Sequence, residues 1–408
     1  MSDTPEAAPP TSSTVEPPAA PTGSVGPRRE PPRPSRRVRR VVVVGLVAAI
    51  VLSVPVLGRI GVDAALRGAG PGAASTGADP SLPGYQAFVA ASPTVLVADV
   101  GPDGRLVAAA LVGGSARQGG GGVLLLPAAL RVEASGPTLG EAFGDDGPLA
   151  LAGRVEAILR VDVGEVVRLD DASWRETVGA TTTLRIDNPA PILGDAGEDL
   201  FPAGPLELPA DRIAAYLHRR APGEDELEAL YRAELVWAAW MARGGASAGV
   251  LGDLVRGLLG VDATVLTLPV SAGGDAERRG YTAAVGDVDE AVALVVPFPA
   301  PPERGGRTRV RLLDGTGDPD RSLRAAGEVV PLGASILVVG NADRFDHDLD
   351  EVEYHRPSAD PAARRIAARL GVTDVSFTDQ PDSAIDVTIV VGRSHRFDPE
   401  VPNATVAR

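Results

Sequence analysis

Val41–Gly58 reads VVVVGLVAAIVLSVPVLG, 18 residues without a charged side chain. As a helix rising about 1.5 Å per residue it reaches roughly 27 Å, close to the hydrocarbon thickness of a bilayer. Arg36, Arg37, Arg39 and Arg40 stand directly before it. Basic residues are retained on the cytoplasmic side of a membrane helix. The pattern therefore predicts a signal-anchor, with a cytoplasmic N-terminus and everything after Arg59 exported. Two other readings compete. The polar, Pro-rich flanks disfavour a buried core helix. The 40-residue leader disfavours a cleaved signal peptide, although Val62-Asp63-Ala64 has the small-residue character of a cleavage site.

Charge is spread unevenly around that segment. Residues 1–40 hold seven Arg against four acids, a net of +3; the whole chain carries −15, so the remainder carries −18. Nucleic-acid binding needs a basic footprint, and a body this acidic excludes that partner. Cysteine is absent, which rules out disulfides and thiolate metal sites. All 39 basic residues are Arg, and with abundant Ala, Gly and Pro this is the imprint of a GC-rich genome. Residues 1–35 contain ten prolines among Ala, Thr, Ser and Glu. Such a segment buries too little apolar surface to offset its chain entropy and is expected to be disordered.

Breaker runs divide the rest of the chain. Ala69–Pro83 is small, polar and Gly/Pro-rich, and Pro297–Gly306 reads PFPAPPERGG. The expected order is a tail over 1–40, a transmembrane helix over 41–58, a linker over 59–83, a domain over 84–297, a second linker over 298–307, a domain over 308–394 and a tail over 395–408. In the first domain, Thr94–Val97 and Leu106–Val112 read as paired strands around a Gly101–Gly104 turn, and Val123–Leu126 as a short buried strand. Leu149–Leu159, Ala210–Tyr216 and Glu224–Ala242 have helical spacing, and Thr181–Ile186 is strand-like. In the last domain, Arg309–Leu313, Ser335–Val339, Glu351–Tyr354 and Ala384–Val391 read as strands. Asp318-Pro319 and Asp360-Pro361 read as helix starts. Two β-α-β runs predict a small two-layer α/β domain.

Three motifs in this last domain occur in order: Asp314-Gly315-Thr316-Gly317 after a strand, then Gly340–Asp346 (GNADRFD), then Asp386–Gly392 (DVTIVVG). Together they resemble the C-terminal domain carried by bacterial cell-envelope proteins of the LytR-CpsA-Psr family. The resemblance implies an envelope location and no established chemistry for this domain.

The domain over 84–297 resembles the catalytic domain of the same family in a degenerate form. After its second strand the family has an Arg and an Asp that contact a polyprenyl-linked pyrophosphate and its metal. Here Pro127 is followed by Ala128 and Ala129. Leu139–Phe143 and Thr177–Ile186 are loose matches to later segments, while Phe201–Arg220 (FPAGPLELPADRIAAYLHRR) is the best. By that match His218 replaces one family Arg and Arg220 retains another. Downstream, Ala229 replaces a third and Arg232 retains a fourth. Phosphoryl transfer depends on positioning and on neutralising charge, and losing one such donor costs about 2–4 kcal/mol at the transition state.

The resemblance thus implies a membrane-anchored, non-catalytic homologue, a pseudoenzyme that binds a lipid-linked glycan, a wall polymer or a partner protein. The alternative is an active phosphotransferase that moves a glycan polymer from a polyprenyl pyrophosphate carrier to peptidoglycan, the one case that calls for Mg2+. A structural or regulatory protein without a glycan pocket is the third reading. Arg219, Arg220 and Arg232 are the candidate phosphate or glycan ligands, since guanidinium forks suit phosphate; the same residues also fit a solvated helix face paired with Glu224, Asp225, Glu226 and Glu228. Trp237, Trp240 and Met241 fall on one helical stripe, as core or as the wall of a lipid pocket. The acidic run Asp343–Asp350 reads as a solvated loop more readily than as a cation site, and Gly315–Gly317 as a tight turn more readily than as an anion cradle. No catalytic or metal-ligating residue is assigned.

Overall fold

The structure is a computed structural model that describes residues 79–397, except 245–248, 261–262, 274–279, 303–305, 380–381 and 383. The expected span Val41–Gly58 and the tail before it lie outside the described residues. Among those described, no helix is long and apolar enough to cross a membrane.

The chain enters with β1 (Gln86–Phe88) and continues through β2 (Thr94–Val100), β3 (Leu106–Ser115), β4 (Gly120–Pro127), α1 (Leu139–Leu159), β5 (Glu165–Leu169) and α2 (Asp171–Val178). Two small hairpins follow. One pairs β6 (Thr183–Asn188) with β9 (Gly204–Pro209), the other β7 (Ile192–Leu193) with β8 (Asp199–Phe201). Then come α3 (Ile213–His218), α4 (Glu226–Ala242), α5 (Val250–Gly257) and β10 (Thr264–Thr267). A last ribbon, β11 (Ser271–Gly273) with β12 (Gly280–Thr282), precedes α6 (Val285–Val295).

Five of these strands make one sheet in the order β10-β4-β3-β2-β5. Its inner strands are apolar on both faces because both faces are covered. Val95, Val97, Ala110, Val112 and Leu125 point to the side packed by α2, α3, α4 and α5. Leu96, Ala98, Leu111, Leu124 and Leu126, one residue out of phase, point to α1 and α6. The two-residue period of a strand makes this split, and the result is three layers. The turn between β2 and β3 forms where Gly101–Gly104 predicts it: Gly101 N donates to Arg105 O, and Gly104 takes a left-handed φ of 78°. Helix α1 is broken at Gly147 (φ 76°) just before Pro148, which is why its helical periodicity is readable only from Leu149 onward.

The last domain contains β13 (Thr308–Asp314), α7 (Pro319–Val329), β14 (Ala334–Asn341), β15 (Glu351–Tyr354), α8 (Asp360–Leu370), β16 (Val375–Phe377) and β17 (Val387–Val391). Its sheet runs β1-β14-β13-β17-β15-β16, with β13, β14 and β17 mutually parallel. Val310, Leu312, Ile336, Val387 and Ile389 pack on α7 and α8, giving the expected two layers. Asp318 caps α7 by accepting from Asp320 N. Helix α8 starts one residue earlier than its Asp-Pro pair predicts: Ala359 is the cap residue, and Asp360 in the first turn pairs with Arg364.

Two boundaries differ from the sequence expectation. Residues 84–89 belong with the last domain, because β1 pairs antiparallel with β14. The start of the breaker run after Pro297 is packed in place: Phe298 is buried in the last domain's core, Ser92 and Phe298 exchange hydrogen bonds, and Ser335 Oγ donates to Pro299 O at 2.7 Å. Proline density reads as a linker, but rigid prolines also suit a tightly packed crossing.

Candidate functional site

Strands β2, β4, β5 and β10 run parallel, so their C-terminal ends share one edge of the sheet. In open α/β sheets that edge is where ligands bind. Asp99 is level with Ala108, and Ala108 with Pro127, which sets Asp99 and the Pro127-Ala128-Ala129 turn roughly 10 Å apart across two strand spacings.

Asp99 sits at the end of β2, only 8% exposed. Its Oδ1 accepts from Trp174 Nε1 at 2.7 Å and lies 3.0 Å from His218 Nε2. The other ring nitrogen of His218 is 3.3 Å from Asp171 Oδ1. Burial disfavours the imidazolium, but the hydrogen bond and charge of Asp99, joined by Asp171, outweigh it and raise the His218 pKa above its ordinary value. At the position where the family resemblance implies an Arg, the chain holds an imidazole with one nitrogen on the buried Asp99 carboxylate and the other 3.3 Å from the exposed Asp171.

The Ala128-Ala129 turn is also occupied. Helix α4 begins with a capping box, Asp225 accepting from Glu228 N, and this places Glu226 in the first turn. Glu226 Oε1 accepts from Ala129 N at 3.2 Å. Burial raises the Glu226 pKa, and the amides of Ala129 and Ala128 together with the Arg220 charge offset only part of the rise. Tyr281 adjoins the same turn, its N donating to Ala129 O at 3.0 Å. Burial, with the charges of Glu226 and Asp225, raises the Tyr281 pKa as well.

The three candidate arginines are not brought into one cluster facing solvent. Arg219 is paired with Asp195 at 2.9 Å. Arg220 donates to Asp225 O at 2.7 Å and is the one whose charge reaches Glu226. Arg232 is 1% exposed. Its Nε and Nη2 bind Glu224, its Nη2 also donates to Arg219 O at 2.7 Å, its Nη1 to Tyr216 O, and its guanidinium lies over the Tyr216 ring. The structure thus places Arg232 in the framework, with all three nitrogens spent on α3, the turn after it and Glu224. Trp237, Trp240 and Met241 are buried in the core between α4 and the sheet, with Trp237 edge-on to both Trp174 and Trp240. They are core residues here.

In the last domain the Gly turn is filled from within. The buried Asp314 carboxylate accepts from Thr316 N, Thr316 Oγ1 and Gly317 N at 2.7–2.9 Å, and a Cβ at Gly315 would meet His347. Asn341 of the GNADRFD motif holds the incoming chain: its Nδ2 donates to Pro80 O and Leu82 O. The acidic loop is tied down by Arg344–Asp346, His347–Glu351 and Asp350–His395 contacts. Among the described residues no group of three or more His, Asp or Glu is placed to hold a metal ion. Sequence reasoning missed Asp99 and the contact of Glu226 with the Ala129 amide. A lone acid in the apolar strand VLVADV was the available signal for the first.

Comparison with known proteins bears on the last domain most directly. The LytR_C family model, described as LytR cell envelope-related transcriptional attenuator, matches residues 307–395. No curated protein matches the chain. Among solved structures, TagV of B. subtilis is similar at 13% identity, with 49% of this chain and 94% of that chain covered and a TM-score of 0.39. TagT of B. subtilis is similar at 17% identity, covering 52% and 89%, with a TM-score of 0.39. A LytR-CPS2A-psr family protein, YwtF (TagT), with bound octaprenyl pyrophosphate lipid is similar at 16% identity, covering 49% and 87%, again with a TM-score of 0.39.

Proposed function

Starting from a chain that carries a LytR C-terminal-type domain, we propose that this is a membrane-anchored, extracytoplasmic envelope protein whose middle domain binds without catalysing phosphotransfer. The observation that carries the reading is the Glu226 carboxylate on the strand-end amide of Ala129. That is where the sequence resemblance puts the Arg and Asp that grip a pyrophosphate. An anion entering there meets a carboxyl group already seated, which repels it whenever that group is ionised. At about 4 Å and an effective dielectric near 20, that repulsion is about 4 kcal/mol. Two of the groups whose positive charge would offset it, His218 and Arg232, are held by Asp99 and Glu224 instead. The binding partner is a lipid-linked glycan, a wall polymer or a protein.

The direct test is release of phosphate from a polyprenyl pyrophosphate by the full chain in detergent with Mg2+. No turnover is expected; turnover that falls in Arg220→Ala overturns the reading. One feature favours that alternative. A Glu226 carboxyl that keeps its proton more readily than usual, beside Arg220 and Tyr281, has the character of a general acid. Mass spectrometry of lipids retained by the purified protein separates glycan binding from a purely structural role. Export is tested in the cysteine-free chain by labelling Asp103→Cys with a membrane-impermeant maleimide in intact cells. Labelling is expected, and its absence from a folded protein argues against the predicted topology.

A further inference from the structure

We propose that the cleft between the end of α1 and the start of β13 is a binding site for a phosphate-bearing anion. The cleft has a volume of about 410 Å³, and Arg160, Arg307, Arg309, Arg356 and Arg365 line it, with Asp386 as the single carboxylate in the wall. Asp386 accepts from Arg309 at 3.0 Å and lies 3.1 Å from Arg356 Nε. Beneath the wall, the buried Asp289 of α6 pairs with Arg160 and Arg307. Among the described residues, two carboxylates therefore answer five guanidinium groups. The neighbouring acids bring no relief, since Asp382 is engaged by Arg311 and Asp360 by Arg364. Arg365 is exposed and makes no hydrogen bond or ion pair among the described residues. In a chain of net charge −15, this concentration of positive charge runs against composition.

Arg160 adds an independent sign. It is the one non-glycine with a positive φ among the described residues, 55°, at the C-terminal cap of α1. Glycine is the usual occupant there because a Cβ is strained in the left-handed region. Arginine at this position keeps the strain and gains a guanidinium that crosses to Asp289 and to Gly306 O. Crowding is felt next door as well: burial lowers the Arg307 pKa to about 10, with the Arg160 charge adding to the fall and Asp289 opposing it. Unbalanced strain and charge at a cleft are characteristic of binding sites. Several guanidinium groups around one space match the several oxygens and charges of a phosphate better than the single charge of a carboxylate. The volume leaves room for the group that the phosphate is attached to.

None of these residues belongs to the sheet-edge site, so the two are separable by experiment. The probe is inorganic pyrophosphate, titrated into the full chain in detergent and followed by calorimetry at ionic strength matched with sodium chloride. Saturable binding near one equivalent is expected. It should weaken by about tenfold in Arg365→Ala, where one charge-assisted contact goes, and similarly in Arg160→Gly. Arg220→Ala should bind as the parent does. Absence of saturable binding overturns the proposal, as does binding untouched by both cleft substitutions or abolished by Arg220→Ala. The last outcome would move the anion to the sheet edge and count against the non-catalytic reading instead.

Discussion

At the C-terminal edge of the five-stranded sheet Arg219, Arg232 and His218 each have a carboxylate at hand, whereas at the domain junction five arginines face two among the described residues. Arg232 is matched by Glu224, His218 by Asp99 and Asp171, and Arg219 by Asp195, while Glu226 lies in the field of Arg220. The Gly turn of the last domain obeys the same rule, with Asp314 seated on its amides. A charge with an internal partner serves the fold, and a charge left in surplus is available to a ligand. By that measure the arginines carried over from the family resemblance include framework, and at the junction it is Arg365, beside four arginines that share two carboxylates, that is set up to bind.

The strongest way to break this contrast is at Arg232. Arg232→Ala strips the nearly buried Glu224 carboxylate of its cation and leaves it only the Ala221 amide, and a loss of about 3–5 kcal/mol is expected by urea denaturation. Replacing both partners by apolar residues should recover much of it. A small loss in the single variant would return Arg232 to the set of candidate ligands. His218 comes next. Its folded pKa is raised, so its contribution is full below the unfolded value of about 6.5 and is lost as pH rises through the folded value. Stability should therefore fall with pH above about 6.5 in the parent and fall less in His218→Gln, whose overall loss should be about 1–3 kcal/mol. Equal slopes in the two proteins would mean that the imidazolium is not held.

Glu226→Gln sharpens the contrast from the other side. Removing the charge but keeping an acceptor for Ala129 N should change stability by less than about 1 kcal/mol, while pyrophosphate gains a second, weaker site in calorimetry. No gain would detach the Glu226 carboxylate from any role in exclusion. Smallest on stability is Arg365→Ala, within about 0.5 kcal/mol for an exposed side chain, even as junction binding drops.

Much of the scaffold was legible because it rests on local rules. The pairing of β2 with β3, the buried β4, the Gly101–Gly104 turn, the Asp318 cap and the α7–α8 layer all derive from composition, turn chemistry and period. The edge strands β5 and β10 went unread: short and half-buried, with only Glu165 and Arg168 or two threonines to mark a face, they carry little period. At the site, the family resemblance pointed to positions but not to their partners. That Ala128 and Ala129 lack side chains to grip phosphate is plain from the sequence, yet Glu226, 97 residues away from Ala129, supplies the anion that replaces it. The alternating Arg307, Arg309 and Arg311 of RTRVRL hinted at a charged strand face, without saying that Arg160 would join it.

The sequence by itself determined the apolar run at Val41–Gly58, the acidic balance of the rest, the two α/β folding units and the motifs that match the envelope-family domain. These depend on composition and short-range spacing. Tertiary structure alone decided which charges cancel. Whether an arginine binds a ligand depends on the carboxylates within about 4 Å of it, and those come from near and distant parts of the chain alike: Glu224 reaches Arg232 across 8 residues, but Asp289 reaches Arg160 across 129. Coulomb energy is set by distance in space, which spacing in sequence does not fix.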